Sequence, residues 1–88
     1  MKREFEYINR LLLEVRAGIA IYGTEKLLEG LGKKDMSAIL VNDDIINDEK
    51  VKEVLDKADK LGIRIEIFNA EDDAGIQLKN FSGIAAIG

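Results

Sequence analysis

The apolar positions of this 88-residue chain recur with two different periods, and the switches between them mark out its elements. From residue 2 to about residue 17, Phe5, Ile8, Leu12 and Val15 return every three or four positions, the stripe of an amphipathic helix. At about 100° per residue, Tyr7 and Leu11 widen that stripe along one edge, and Leu13 lies off the opposite edge. A helix apolar over more than half its circumference has to bury more than one face. Gly18 can end it, and residues 19–22 suit a short strand. Gly23-Thr24 reads as a turn in which Thr24 caps a second helix over 25–31, with Leu27, Leu28 and Leu31 inward and Gly30 and Gly32 as stop signals.

Residues 37–41 form a continuous apolar run, the pattern of a strand covered on both faces. After Asn42-Asp43-Asp44, either Asn47 or Asp48 caps a third helix whose buried face is Val51, Val54, Leu55, Ala58 and Leu61, and Gly62 follows it as the C′ residue. Residues 63–68 alternate strictly, which predicts a strand with Ile63, Ile65 and Ile67 inward. Asn69 is placed to cap a short helix with acids in its first turn and with Leu78 and Phe81 as buried contacts. Ser82-Gly83 breaks the chain before a last strand over 84–87. The order α-β-α-β-α-β-α-β predicts one α/β domain: a three-layer α/β/α sandwich around a mixed sheet of about four strands.

Composition narrows the chemistry. The chain is long enough for one domain and carries 47% hydrophobic and 34% charged residues, a globular balance. It has neither Cys nor His, which excludes disulfides, thiolate zinc sites and the usual nucleophile–base pairs. No apolar run approaches the roughly 20 residues needed to span a bilayer, and residues 1–6 lack a signal-peptide core. A cytoplasmic location without membrane attachment is the expectation. The net charge of −4 opposes a phosphate backbone overall while leaving room for a local basic patch.

The carboxylate clusters are Asp43/Asp44 and Glu71/Asp72/Asp73. Paired carboxylates can hold Mg²⁺ or Ca²⁺, but no D-x-D-x-D-G spacing is present, and a polar turn and an acidic helix start account for both. Gly30-Leu31-Gly32-Lys33 follows a helix, whereas phosphate cradles precede one. No catalytic residue, metal or cofactor is therefore expected. The wide arc of the first helix has two readings. Tyr7, Leu11 and Leu13 pack against the second and fourth helices, or, with Arg10, they form a protein-binding patch of the residue types that interfaces favour.

Taken in order, Tyr22-Gly23 leading into the second helix, Ile39-Leu40-Val41 followed by Asn42-Asp43, Gly62 before Ile65 and Ile67, Gly75 before Leu78, and the closing Gly83-Ile84-Ala85-Ala86-Ile87 resemble one family. It is the C-terminal domain shared by Pelota proteins and the archaeal and eukaryotic class-1 release factors, and the resemblance covers nearly the whole chain. The sequence departs from the family pattern at Ser82, which replaces the first Gly of the closing motif, at residues 34–37, and at Ala74, where an acid normally stands. The short connection over 42–47, without the insertion of release factors, is similar to the Pelota branch. The resemblance implies a domain excised from a longer archaeal protein that enters stalled ribosomes. It also implies docking of an elongation-factor-like GTPase and then of an ABC-type recycling ATPase, without catalysis by this domain. Tyr22 joins Tyr7, Arg10, Leu11 and Leu13 as a partner-binding candidate.

Two alternatives stand beside that one: the C-terminal domain of a release factor in translation termination, and a kink-turn RNA-binding protein, whose fold the family shares. Kink-turn binders read RNA at the start of the second helix through Gly-x-Asn-Glu-x-x-Lys. Residues 23–29 here lack the Asn and the downstream Lys, and the facing loop Glu71-Asp72-Asp73 is acidic, so RNA binding by this domain is disfavoured.

Overall fold

Strands with no polar side must be covered twice, and two of the four strands here are of that kind. In the computed structural model, which describes the backbone of residues 2–88 and the side chains of residues 4–88, the elements are α1 (Lys2–Arg16), β1 (Ile21–Tyr22), α2 (Thr24–Gly30), β2 (Ala38–Asn42), α3 (Glu49–Lys60), β3 (Arg64–Phe68), α4 (Asp73–Lys79) and β4 (Ile84–Ile87). A short 3₁₀ turn, Asp43–Ile45, follows β2. The sheet order is β1-β4-β2-β3. β4 runs antiparallel to β1 and β2, while β2 and β3 are parallel across the α3 crossover.

Every residue of β2 and β4 is buried, and successive residues face opposite layers. Ala38, Leu40, Ala85 and Ile87 join Ile8 and Leu11 of α1 and Ala74 and Leu78 of α4. Ile39, Val41, Ile84 and Ala86 join Leu27 and Leu31 at α2 and Val51, Val54 and Ala58 of α3. The sandwich therefore has the three layers that the element order predicts, with α1 and α4 on one face and α2 and α3 on the other. The two small residues Ala85 and Ala86 let a helix approach each face of β4 closely.

Several local assignments change. The buried arc of α1 is centred between Ile8, Leu11 and Val15 rather than on the Phe5–Val15 stripe, which leaves Phe5 exposed at its edge. α1 belongs to the layer of α4, so it does not rest on α2 as the wide arc suggested. The N-cap of α2 is Gly23 at φ 89°, not Thr24, because the chain turns there into a conformation that side chains disfavour. β1 is only two residues long, and Ile19 is exposed. In β3, Ile67 is 57% exposed while Phe68 is buried at 1%. β3 is the sheet edge, where cover on the Ile63 face fails before the strand ends, and Phe68 points into the α1–α4 core. Leu61 lies beyond the last turn of α3 and is half exposed.

The caps of α3 follow the residue chemistry. The carboxylate of Asp48 accepts from the Lys50 and Val51 N–H groups at 2.9 and 3.2 Å. At the other end, Gly62 at φ 74° and Ile63 donate back to the Asp59 and Ala58 carbonyls, a Schellman closure. Asn69 does not cap α4. Its side chain accepts from Glu71 N–H at 2.9 Å, closing an Asx turn, and Asp72 occupies the cap position.

α4 is seated by a close approach. A Cβ on Gly75 would lie 2.0 Å from the Asn69 carbonyl oxygen. The fully buried Asn42 donates through Nδ2 to the Gly75 carbonyl at 3.0 Å, tying the end of β2 to α4. Gly75→Ala is expected to force α4 off this seat and break that bond, lowering unfolding free energy by about 3 kcal/mol in urea denaturation. Ser82 has φ 67°, the left-handed region that costs a non-glycine residue about 1–2 kcal/mol. Ser82→Gly should therefore stabilise the chain by about 1 kcal/mol, raising the calorimetric midpoint by about 4–8 °C.

Candidate partner-docking surface

The residues singled out on α1 divide between three surroundings. Leu11 has no exposed area and lies in the α1–α4 core, which removes it from any docking surface. The reason is angular: only about 60° separates it from Ile8 around the helix. Leu13, on the opposite side of α1, is 64% exposed. Tyr7 is half-buried, with its ring packed on the core and its hydroxyl accepting from Arg64 Nη1 of β3 at 3.3 Å. That hydrogen bond, then the electrostatic attraction of Tyr7 and of Glu66, raise the Arg64 guanidinium above its ordinary pKa. Tyr7 thus fastens α1 to the sheet edge and presents little of itself outward.

Arg10 is partly committed within the chain. Its Nε lies 3.2 Å from Glu14 Oε2, and its Nη2 donates to the Gly88 carbonyl. Glu14 Oε1 in turn accepts from Gly88 N–H at 2.9 Å, and Ser37 Oγ reaches the Ile87 and Gly88 carbonyls at 3.2 Å each. These contacts hold the chain where it leaves β4. Tyr22 belongs to β1. Its ring meets Phe81 edge-to-face at 5.4 Å, and Lys26 Nζ lies 5.7 Å from its centroid.

The structure exposes two further apolar side chains in the α1–α4 layer, Phe5 and Ile76. The 3.6-residue stripe assigned Phe5 to the core. For Ile76, its position two residues before Leu78, roughly on the far side of a short helix, is the signal that sequence reasoning passed over. Phe5 rims a hollow of about 340 Å³ whose other walls are Glu4 and the entry to α4, Glu71 to Ala74. The outer surface of this layer therefore combines apolar side chains with carboxylates.

Two of the carboxylates considered for metal binding, Asp43 and Asp44, serve the fold. Asp43 Oδ1 accepts from Ala70 N–H at 3.1 Å, and Asp44 pairs with Lys79 at 3.6 Å. Both contacts anchor the loop after β2 to the ends of α4.

Residues 1–87 match the family described as eRF1 domain 3. The chain is 30% identical over 86 residues to the protein pelota homolog of Methanocaldococcus jannaschii, covering 97% of this chain and 25% of that protein. The crystal structure of Archaeoglobus fulgidus Pelota superposes with a TM-score of 0.85 at 27% identity, over 98% of this chain and 29% of that one. At 20% identity, the fold also matches Saccharomyces cerevisiae Dom34, a translation termination-like factor involved in RNA quality control pathways and interacting with Hbs1, with TM-score 0.84 over 98% of this chain and 27% of Dom34. A model of ribosome-bound archaeal Pelota and ABCE1 matches with TM-score 0.75 at 24% identity, over 98% of this chain and 26% of that one. The chain spans about a quarter of the length of the curated relatives it matches. With a family match over almost every residue, the four-strand α/β/α sandwich and the Gly83–Ile87 closing strand all in agreement, this chain belongs to the eRF1 domain 3 family.

Proposed function

We propose that the chain is the docking domain of a Pelota-type factor in ribosome rescue, no-go mRNA surveillance and subunit recycling. The observation that carries this reading is the family match over residues 1–87 together with the pelota homologs that align across the chain. Its partners are an elongation-factor-like GTPase and an ABC-type recycling ATPase. The association of Dom34 with Hbs1 and of Pelota with ABCE1 supports these two kinds of partner. The site of action is the cytoplasm, where the ribosomes are; among the described residues no helix is long and apolar enough to cross a membrane.

The domain acts by binding rather than by chemistry. It has no His or Cys, Ser37 is turned to backbone carbonyls, and Asp43 and Asp44 fasten loops. The docking surface is the outer side of the α1–α4 layer, with Leu13, Phe5 and Ile76 as apolar anchors and Arg10 and Tyr7 at its margin. Apolar anchors ringed by polar groups suit a protein interface, since each anchor gains by leaving water and the rim sets orientation. Leu11 supports this surface from beneath.

Binding of the cognate GTPase and ATPase to the chain and to its full-length parent, measured by calorimetry, tests the reading. Leu13→Glu should weaken binding about tenfold or more and leave the thermal midpoint unchanged. Leu11→Ala should instead cost about 2–5 kcal/mol of stability as a core cavity. Absence of binding by the full-length parent, or a Leu13→Glu variant that binds as the parent does, defeats it.

A further inference from the structure

Acids are dense at one end of the sheet, and two adjacent lysines stand at the other. Where β2 and β3 end stand Asp43, Asp44, Asp48, Glu71, Asp72 and Asp73. Before β2 begins, the loop that follows α2 carries Lys33 and Lys34. These two lysines and Lys26 line one hollow of about 480 Å³ between α2 and the start of β1, with Ile21 and Gly30 in its floor and Glu29 as its one acid. Gly30 keeps the floor tight: a Cβ there would meet Met36 Cε at 3.1 Å and Ile21 Cδ1 at 3.3 Å. Lys26 is held against the Tyr22 ring, and no ion pair engages Lys33 or Lys34 among the described residues.

We infer that this hollow binds the phosphate backbone of RNA without reading its sequence. Three ammonium groups against the single carboxylate of Glu29 give this concavity a local positive charge in a chain of net charge −4. Lysines act on phosphates as point charges, with no demand for a fixed approach. The hollow has no Asn, Gln, Arg or Ser in its wall, the groups that read base edges, so it can position a backbone but not specify a sequence. An acidic peptide is the poorer fit, because acidic motifs are held by the bidentate forks of arginine clusters and this hollow has no Arg. The hollow shares Lys26 with the segment at which kink-turn binders read RNA, but its Lys33 and Lys34 lie beyond the far end of α2. It is also a different surface from the α1–α4 layer, so it stands apart from the GTPase- and ATPase-docking reading.

Fluorescence anisotropy with a fluorescein-labelled 20-base-pair RNA duplex tests this on the 88-residue chain. Three phosphate contacts predict that affinity falls about 40-fold between 50 and 200 mM KCl, and that a duplex of scrambled sequence binds equally. Lys33→Glu/Lys34→Glu should weaken binding about tenfold or more with an unchanged thermal midpoint. Lys50→Glu/Lys52→Glu makes the same change of charge at the other end of β2, where acids suit the first turn of α3, and should keep most of the binding. Equal losses in the two double variants would reduce the effect to net charge and overturn the site. So would absence of salt-sensitive binding by the parent chain, or a labelled poly-glutamate peptide binding more tightly than RNA, which would assign the hollow to an acidic protein. Binding of the GTPase should be unchanged in Lys33→Glu/Lys34→Glu, which separates failure of this inference from failure of the docking reading.

Discussion

The antiparallel pairing of β2 with β4 is the contact on which the rest of the molecule depends, because neither strand has a side that water can cover. Ile39, Leu40 and Val41 face Ala86, Ala85 and Ile84 across that pairing, and each is fully or almost fully buried. Fully burying a side chain of this size is worth about 1.5–3 kcal/mol, but only while a helix lies over it. Two helices per face supply that cover. Asn42, the last residue of β2, then uses its side chain to hold α4, so the strand that demands a cover also positions part of it.

Committing both sheet faces to the core limits where function can reside. What remains is the outer side of each helix pair, the β1 and β3 edges and the two ends of the sheet. The α1–α4 layer offers exposed apolar groups, while the loop and hollow at the start of β2 offer unpaired lysines. Part of this charge separation follows from the helices themselves, since acids favour the starts of α3 and α4 and bases the end of α3. Lys33 and Lys34 lie beyond α2, where this preference no longer requires them.

Much of the architecture was legible in residue patterns, and the failures share a cause. The continuous run over 37–41 required a strand covered on both faces, and Asp48 and Gly62 marked the ends of α3 through backbone chemistry that operates within a few residues. The alternation over 63–68 identified β3 but not how far its cover extends, so Ile67 was assigned inward although it is exposed. Thr24 and Asn69 have side chains suited to capping. The turn geometry gave those cap positions to Gly23 and Asp72 instead. Ser82 was visible as a departure from the family pattern, but only its backbone angle shows what that departure costs.

The candidate surfaces divide along the same line. The sequence by itself determined that this is an α/β domain of the eRF1 domain 3 family, with an apolar first helix wider than one buried face and neither Cys nor His. Periodicity carries that information because it depends on neighbours along the chain. Only the tertiary structure decided that Leu11 is core and Leu13 is surface, that Tyr7 reaches Arg64, and that Lys26 shares a hollow with Lys33 and Lys34. Each of those outcomes depends on which elements pack against one another, and a helix with more than one apolar face leaves that choice to the sheet it covers.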